Sequence, residues 1–456
     1  MSNLVGASRL DVSEDVRLQL ETGTGLTPTG LVEHPTFFSG IVERPDVVAA
    51  GILAVADVAS TTYLDLSALA GIRDPVVTAS GDRLRFESFS GCNGVHARFD
   101  LLADGIASGE VGFGTTNVDV NQPLRGALAS LPRHELMHLG VGPDALRMST
   151  PEAVHEERKV ELPTRWVRGF AEVPMIARGL TKVAEVGRTQ AMAFLAGLPR
   201  GAPGPTIGVV AGPRGLRTTA SGVGGGATLA GAARLTSLRR LMRHVRTLSV
   251  FAHESGASGW VAEVEGGRVT LLVSPQPYRG FSGEGQLLPS LAGAGVGRGH
   301  GGDAALLLEH LAWEPVIDPT WLALETSLDE SRVVAAIAEL AASGKVGYDV
   351  TDAAWFHREV PLDTDAVERD HPRLRSARRL VDEGAVSPDG QRWVVGDGTH
   401  RHWVSLADVP PSCTCRWYAR YAGGRGPCSH VLAALLASEA RPSAAAKPRD
   451  GIRERP

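Results

Sequence analysis

The stretch CTCRWYARYAGGRGPCSHVLAALL, Cys413–Leu436, decides more than any other what this chain builds. Cys413 and Cys415 stand two apart, twelve residues intervene, and Cys428 and His430 again stand two apart. On extended backbone the side chains at i and i+2 leave the same face, so the first two thiolates can reach one ion. Cys428 and His430 cannot share a face deep inside a helix. They converge if Cys428 precedes a helix and His430 lies in its first turn. Gly426-Pro427 ahead of the pair, and the apolar run Val431, Leu432, Leu435 and Leu436 behind it, mark such a start. The spacing predicts a ββα zinc finger in which three thiolates and one imidazole close a tetrahedral site. A site with no open position is structural, so no catalytic role is assigned to it. His400 and His402 stand near enough in sequence to replace His430 as the fourth ligand. The plainer alternative is three unrelated thiols. A Cys413–Cys415 disulfide would close a strained short loop, and a cytosolic redox pair is more often written C-x-x-C.

Between the ligand pairs lie Arg416, Trp417, Tyr418, Arg420, Tyr421 and Arg425. Arginine beside aromatic rings suits phosphate contact with base stacking, or a protein hot spot. Arg416, Trp417, Arg420 and Arg425 are therefore the candidate binding residues. The competing reading is that Trp417 and Tyr418 simply cover the small core around the metal. CxC, a loop, then CxH opening a short apolar helix resembles the SWIM zinc finger. Upstream, GFGTTNVDVNQPLR (Gly112–Arg125), ERKVELPTRWVRGFAEV (Glu157–Val173) and SGKVGYDVTDAAWFHREVPL (Ser343–Leu362) resemble bacterial SWIM proteins of similar layout. The resemblance runs through most of residues 30–440. Such proteins are commonly encoded beside a MoxR-type AAA+ ATPase and a von Willebrand A-domain protein. The resemblance implies a non-catalytic, zinc-binding adaptor whose partner is DNA or a protein, the AAA+ ATPase and the von Willebrand A-domain protein being candidates.

At 456 residues the chain is long enough for about two to four domains. A net charge of −5 argues against a chain-wide nucleic-acid coat or a polybasic membrane binder, so any such contact must be local. No window holds 18 consecutive apolar residues, and residues 1–20 lack a signal-like apolar core, which points to a cytoplasmic protein without a membrane span. Three of the four cysteines lie within sixteen residues, metal spacing rather than a disulfide framework.

The fold class reads as α+β and multidomain. Residues 1–200 form an N-terminal α+β domain, 201–325 a Gly-rich linker with a second α+β region, and 326–390 a winged-helix-like region. The zinc finger occupies 391–440, and 441–456 is a disordered tail. Helices are expected at 45–59, 122–131, 180–195, 233–248, 303–313, 331–342 and 373–382. Gly197–Gly231 reads as a linker or a long hairpin. In the helix at 233–248, Arg239, Arg240, Arg243 and Arg246 fall away from the apolar stripe and read as a solvated face.

Two further motifs are weaker. His134-Glu135-Leu136-Met137-His138 matches HExxH, and a metalloprotease built on it is the alternative function. That chemistry needs a helix, whereas Pro132 before the motif and Gly140, Gly142 and Pro143 after it favour a strand at 135–141. On a strand, i and i+4 stand about 13 Å apart, too far for one zinc. Gly297–Gly302 matches GxGxxG but follows no strand, so no dinucleotide site or small-molecule substrate is assigned. Cys92, without a placed histidine partner, reads as an ordinary turn or core cysteine.

Overall fold

Pro45 has no amide proton to leave unpaired, so it suits a first helical turn, and α1 runs Pro45–Ala59. Nearly all its side chains are buried. Gly51 in its middle has a packing reason: a Cβ there would come within 2.5 Å of the Phe99 ring. The helix therefore lies tightly on a sheet. The structure, a computed structural model, describes residues 36–61, 75–159, 164–199, 204–220, 225–289, 301–360, 371–396 and 400–439. It also gives the backbone of short strands at Arg9–Asp11, Arg17–Gln19, Gly25–Thr27 and Gly30–Val32.

In chain order, β1 (Phe38–Val42) precedes α1, and β2 (Val76–Ser80), β3 (Arg83–Phe89), β4 (Val95–Leu102), β5 (Ile106–Val111) and β6 (Phe113–Asn117) follow it. Next come α2 (Gln122–Ser130), β7 (His138–Val141), β8 (Ala145–Ser149), β9 (Val154–Arg158), α3 (Thr164–Arg178), β10 (Thr181–Gly187) and α4 (Arg188–Ala196). A small sheet of β11 (Thr206–Gly212), β12 (Gly215–Thr219) and β13 (Ala227–Ala230) leads to a 3-10 helix, Ala232–Leu241. Then β14 (Thr247–Ala252), β15 (Ser258–Val264) and β16 (Gly267–Val273) return to the large sheet. That sheet is antiparallel throughout, in the order β6-β2-β3-β4-β16-β15-β14-β10, and a second runs β9-β8-β7-β1-β5. The stretches 1–200 and 201–325 thus share one sheet, joined where β4 pairs with β16 from Val95↔Val273 to Leu101↔Gly267.

Alternation along the strands gives the large sheet two unlike faces. Leu84, Phe86, Ala97, Phe99, Leu271 and Trp260 pack with α1 and the 3-10 helix in the main apolar core. The other face carries Arg85, Glu87, His96, Arg98, Asp100 and Arg268, and it is buried as well. Its cover includes a hairpin of β17 (Val346–Asp349) and β18 (Ala354–His357). Three helices precede that hairpin: α5 (Gly301–His310), α6 (Pro319–Thr326) and α7 (Glu330–Ala342). Asp349 meets Arg98 at 2.5 Å and Arg268 at 2.8 Å, while Asp100 meets Arg85 and Arg98 at 2.9 Å each. Asp352 at the hairpin turn takes Arg83 and Arg268, both at 2.8 Å. Arg358 pairs with Glu87 at 2.8 Å, and the Arg85 guanidinium lies 3.6 Å from the centre of the Phe356 ring.

Several expectations give way. Residues 180–195 are not one helix but β10 followed by α4: Thr181, Val183 and Val186 are β-branched, and β10 pairs along β14. The stripe at 233–248 is a 3-10 helix that ends before a strand. Leu235, Leu238 and Leu241 recur every three residues, which is the 3-10 period. Gly197–Gly231 holds a three-stranded sheet in which β11 and β12 form a hairpin. Helix α3, with Pro174 inside it, is an element the sequence reading lacks. No helix among the described residues is long and apolar enough to cross a membrane. The tail at 441–456 and most of the Gly293–Gly302 loop lie outside the described residues.

Candidate metal centre

The chain reaches the site through α8 (Pro372–Asp382) and a four-stranded sheet of β19 (Val386–Asp389), β20 (Arg392–Val395), β21 (His402–Ser405) and β22 (Ser412–Cys413). Cys413 ends β22. Cys415 caps the short helix α9 (Arg416–Tyr421), its sulfur accepting the Tyr418 N–H. Cys428 stands just before α10 (Ser429–Glu439), which places His430 in the first turn of that helix. The ligand atoms of Cys413, Cys415, Cys428 and His430 all lie within 4.8 Å of one another. The three cysteines are buried and His430 is half-buried. Among the described residues this is the one group of three or more such side chains with its donor atoms together.

The donors suit zinc. Each sulfur accepts a backbone N–H: Cys415 to the Cys413 sulfur at 3.4 Å, Tyr418 to Cys415 at 3.4 Å, and Val431 to Cys428 at 3.5 Å. Such bonds favour the thiolate, the form that binds metal. Hydrogen bonds from Cys413 and Cys428 hold the Cys415 thiol well below the usual range, and the same sharing pushes Cys413 up. Burial works against a charged His430, yet the Cys415 and Cys428 sulfurs push its pKa up to about 9. Metal uptake must therefore release protons from this cluster. Three thiolates and an imidazole in a compact buried set are a structural zinc site, and zinc is its cofactor. His402, open in the sequence as a rival ligand, lies beside the four rather than among them. Its ring centre is 4.3 Å from that of His430.

The candidate binding residues divide. Arg416 and Arg420 are exposed on α9. Trp417 is half-buried, with the guanidinium groups of Arg373 and Arg425 each 4.8 Å from its ring centre. Arg425 also lies over Tyr421 at 4.7 Å and donates to the Gly283 carbonyl at 3.4 Å. Trp417 and Arg425 thus serve the packing of the loop, while Arg416 and Arg420 face outward.

Sequence reasoning missed what holds the finger to the body. Arg373 of α8 donates to the carbonyls of Arg425 at 2.6 Å and Pro427 at 2.9 Å, immediately before Cys428. Burial pushes its pKa down to about 10. Gly426 has φ +68°, and a Cβ there would strike the Gly285 carbonyl, so the finger abuts residues 283–287. Those residues are fixed in turn by Glu172 of α3, which accepts N–H groups from Gly285, Gln286 and Leu287 at 2.9 to 3.2 Å. Leu287, Leu288, Leu374 and Ala377 share one apolar cluster with the three cysteines, Val431 and Leu432. Only Gly426-Pro427 carried a sequence signal, as a helix start.

The HExxH segment has no helix. His134 and Glu135 lie before β7, and His138 opens that strand with its Nε2 3.1 Å from the Ser39 hydroxyl.

The SWIM zinc finger family model matches residues 402–439. No curated protein matches this chain. Among solved structures, the chain is similar to Proliferating Cellular Nuclear Antigen from Entamoeba histolytica, at 10% identity and a TM-score of 0.37, over 53% of this chain and 100% of that one. At that TM-score the likeness says nothing about function.

Proposed function

We propose that this SWIM zinc finger protein is a non-catalytic adaptor of the cytoplasm whose finger presents Arg416 and Arg420 to DNA or to a protein partner. The observation that carries the reading is the division of the loop between the ligand pairs. Its internal residues lock the finger onto the body, and two cations on α9 remain exposed beside a metal set supplied wholly by the protein. A finger fixed in this way is a rigid platform, which lowers the ordering cost of binding.

The order α5, α6, α7 and hairpin, with Ile317 bridging to Trp355, supports a winged-helix-like reading of that unit. Its hairpin turn is tied to Arg83 and Arg268, so in this account the unit is a scaffold and the finger is the element that binds. The four ligands, with β21 and β22 ahead and α10 behind, support the ββα reading of the finger. An AAA+ ATPase or a von Willebrand A-domain protein is the protein arm of the proposal.

Fluorescence anisotropy with a labelled DNA duplex tests the nucleic-acid arm. Arg416→Glu with Arg420→Glu should weaken binding about tenfold or more and reduce the salt slope by about two, with zinc content unchanged. Unchanged affinity would remove DNA from the reading. Co-purification with the AAA+ and von Willebrand A-domain proteins, lost in the same variant, would then decide for the protein arm.

A further inference from the structure

Away from the finger, a cavity of about 250 Å³ opens where β1 hands over to α1. Five separate stretches of chain line it: Arg44 with Val47, Arg133, Arg188, Arg243 to Arg246, and Glu265. Five arginines and one carboxylate, Glu265, therefore line the cavity. In a chain whose net charge is −5, this is a local concentration of positive charge and not a reflection of overall basicity.

Some of these cations are already engaged. Arg44 contacts Asp46 at 3.0 Å and also Glu265, and Arg246 stands 3.5 Å from Glu265. Arg188 donates to the Arg243 carbonyl at 3.1 Å. Among the described residues no carboxylate pairs with Arg133, Arg188 or Arg243. Two helices begin at this place, α1 at Pro45 and α4 at Arg188, and neither has a side-chain cap. The positive ends of both helix dipoles add to the guanidinium field. His244, in the lining, responds to the surroundings. Burial holds its imidazole below the ordinary range, and Arg44, Arg243 and Arg188 push the same way against Asp46. The residues read from sequence as a solvated helix face are thus split. Arg240 pairs with Asp57 and Arg239 binds carbonyls of residues 196 and 198, while Arg243 and Arg246 turn to the cavity.

The lining also says what kind of anion belongs there. Guanidinium forks match phosphate oxygens two at a time, and several charges on one ligand relieve the mutual repulsion of the arginines. Val47 is the one apolar residue in the lining, the His244 imidazole is its one ring, and it holds no Phe, Tyr or Trp to give a base a broad stacking face. The cations close around a cavity instead of forming the extended stripe that tracks a duplex. We infer that this cavity binds a linked-phosphate anion, a di- or triphosphate recognised through its phosphates alone.

Calorimetric titration of the full chain with inorganic tripolyphosphate, ATP and orthophosphate tests this, with Arg133→Glu plus Arg243→Glu as the variant. Both positions are exposed, so an unchanged melting point is expected and is checked first. Tripolyphosphate and ATP should bind within about threefold of each other, and orthophosphate about tenfold more weakly or worse. The variant should lose about tenfold or more for tripolyphosphate while keeping its zinc. No binding of tripolyphosphate, or equal binding by the variant, would overturn the proposal. So would ATP binding more than about tenfold tighter than tripolyphosphate, which would mean a base is read. Displacement of tripolyphosphate by a DNA duplex, abolished in the variant, would reassign the cavity to nucleic acid.

Discussion

Two buried charged assemblies hold this molecule together, and they are built in opposite ways. In the finger, four donors come from eighteen consecutive residues, Cys413 to His430, and converge on one point. Across the charged face of the large sheet, Arg85, Asp100, Arg98, Arg268 and Asp349 come from β3, β4, β16 and β17, and the two carboxylates share the three arginines between them. A metal site can be closed by local chain geometry, so its spacing is legible. An ion-pair seam needs only complementary charge brought together by the fold, so it leaves no spacing to read. The two should also fail differently.

The largest contrast is expected on metal removal. Structural zinc in small modules contributes on the order of 10–16 kcal/mol to folding. A chelator should therefore abolish hydrogen-exchange protection across 402–439. The loss should reach Leu287, Leu288 and α8, which share the finger's apolar cluster, and leave the large sheet protected. Protection lost evenly over both regions would show that they are one cooperative unit. Next in size is the seam: Asp349→Ala takes from the buried Arg98 and Arg268 one of the two carboxylates they share, Asp100 being the other, and should cost about 3–5 kcal/mol. Denaturant titration reads that loss, and zinc content should not change.

A smaller effect tests the link between finger and body. Arg373→Ala removes the donor to the Arg425 and Pro427 carbonyls, and zinc affinity should fall about 10–100-fold in a competition with a chelating dye. A variant that binds zinc normally would reduce Arg373 to packing. The smallest effect is acid sensitivity. Burial, reinforced by Arg373 and Arg168, holds His371 at about 4 against an ordinary value of 6.5. Between those values the unfolded chain binds more protons than the folded one, so stability falls as pH drops from 6.5 to 4. In the seam, burial would raise Asp349 and Glu87, but Arg98 and Arg358 hold both below the carboxylate range. Their contribution is present above that range and is lost only as pH falls beneath it. Acid should thus loosen the finger side first, and His371→Asn should flatten the fall in melting temperature between pH 7 and pH 5.

Legibility follows the same division. Helix α1 was readable from Pro45 and its apolar spacing, and Cys428 stands ahead of a helix as Gly426-Pro427 suggested. The first half of 180–195 was misread because its apolar residues fit either period, and only pairing with β14 makes Thr181–Gly187 a strand. The 3-10 helix was misread because leucines three apart also satisfy an α-helical stripe. Arg85, Glu87, Arg98 and Asp100 alternate with apolar neighbours as a solvated face would, and the partners that cover them include the hairpin some 250 residues later and Arg358 just after it. Glu172 and Arg373 carried no local signal, since each acts on backbone groups far away in sequence.

The central claim is that one zinc, held by Cys413, Cys415, Cys428 and His430, builds the finger on which the adaptor reading rests. Elemental analysis of zinc per chain, in the wild type and in Cys428→Ser, tests it most directly. The account predicts one zinc in the wild type and none in the variant. A zinc that survives the substitution would contradict it and turn attention to His134 and His138.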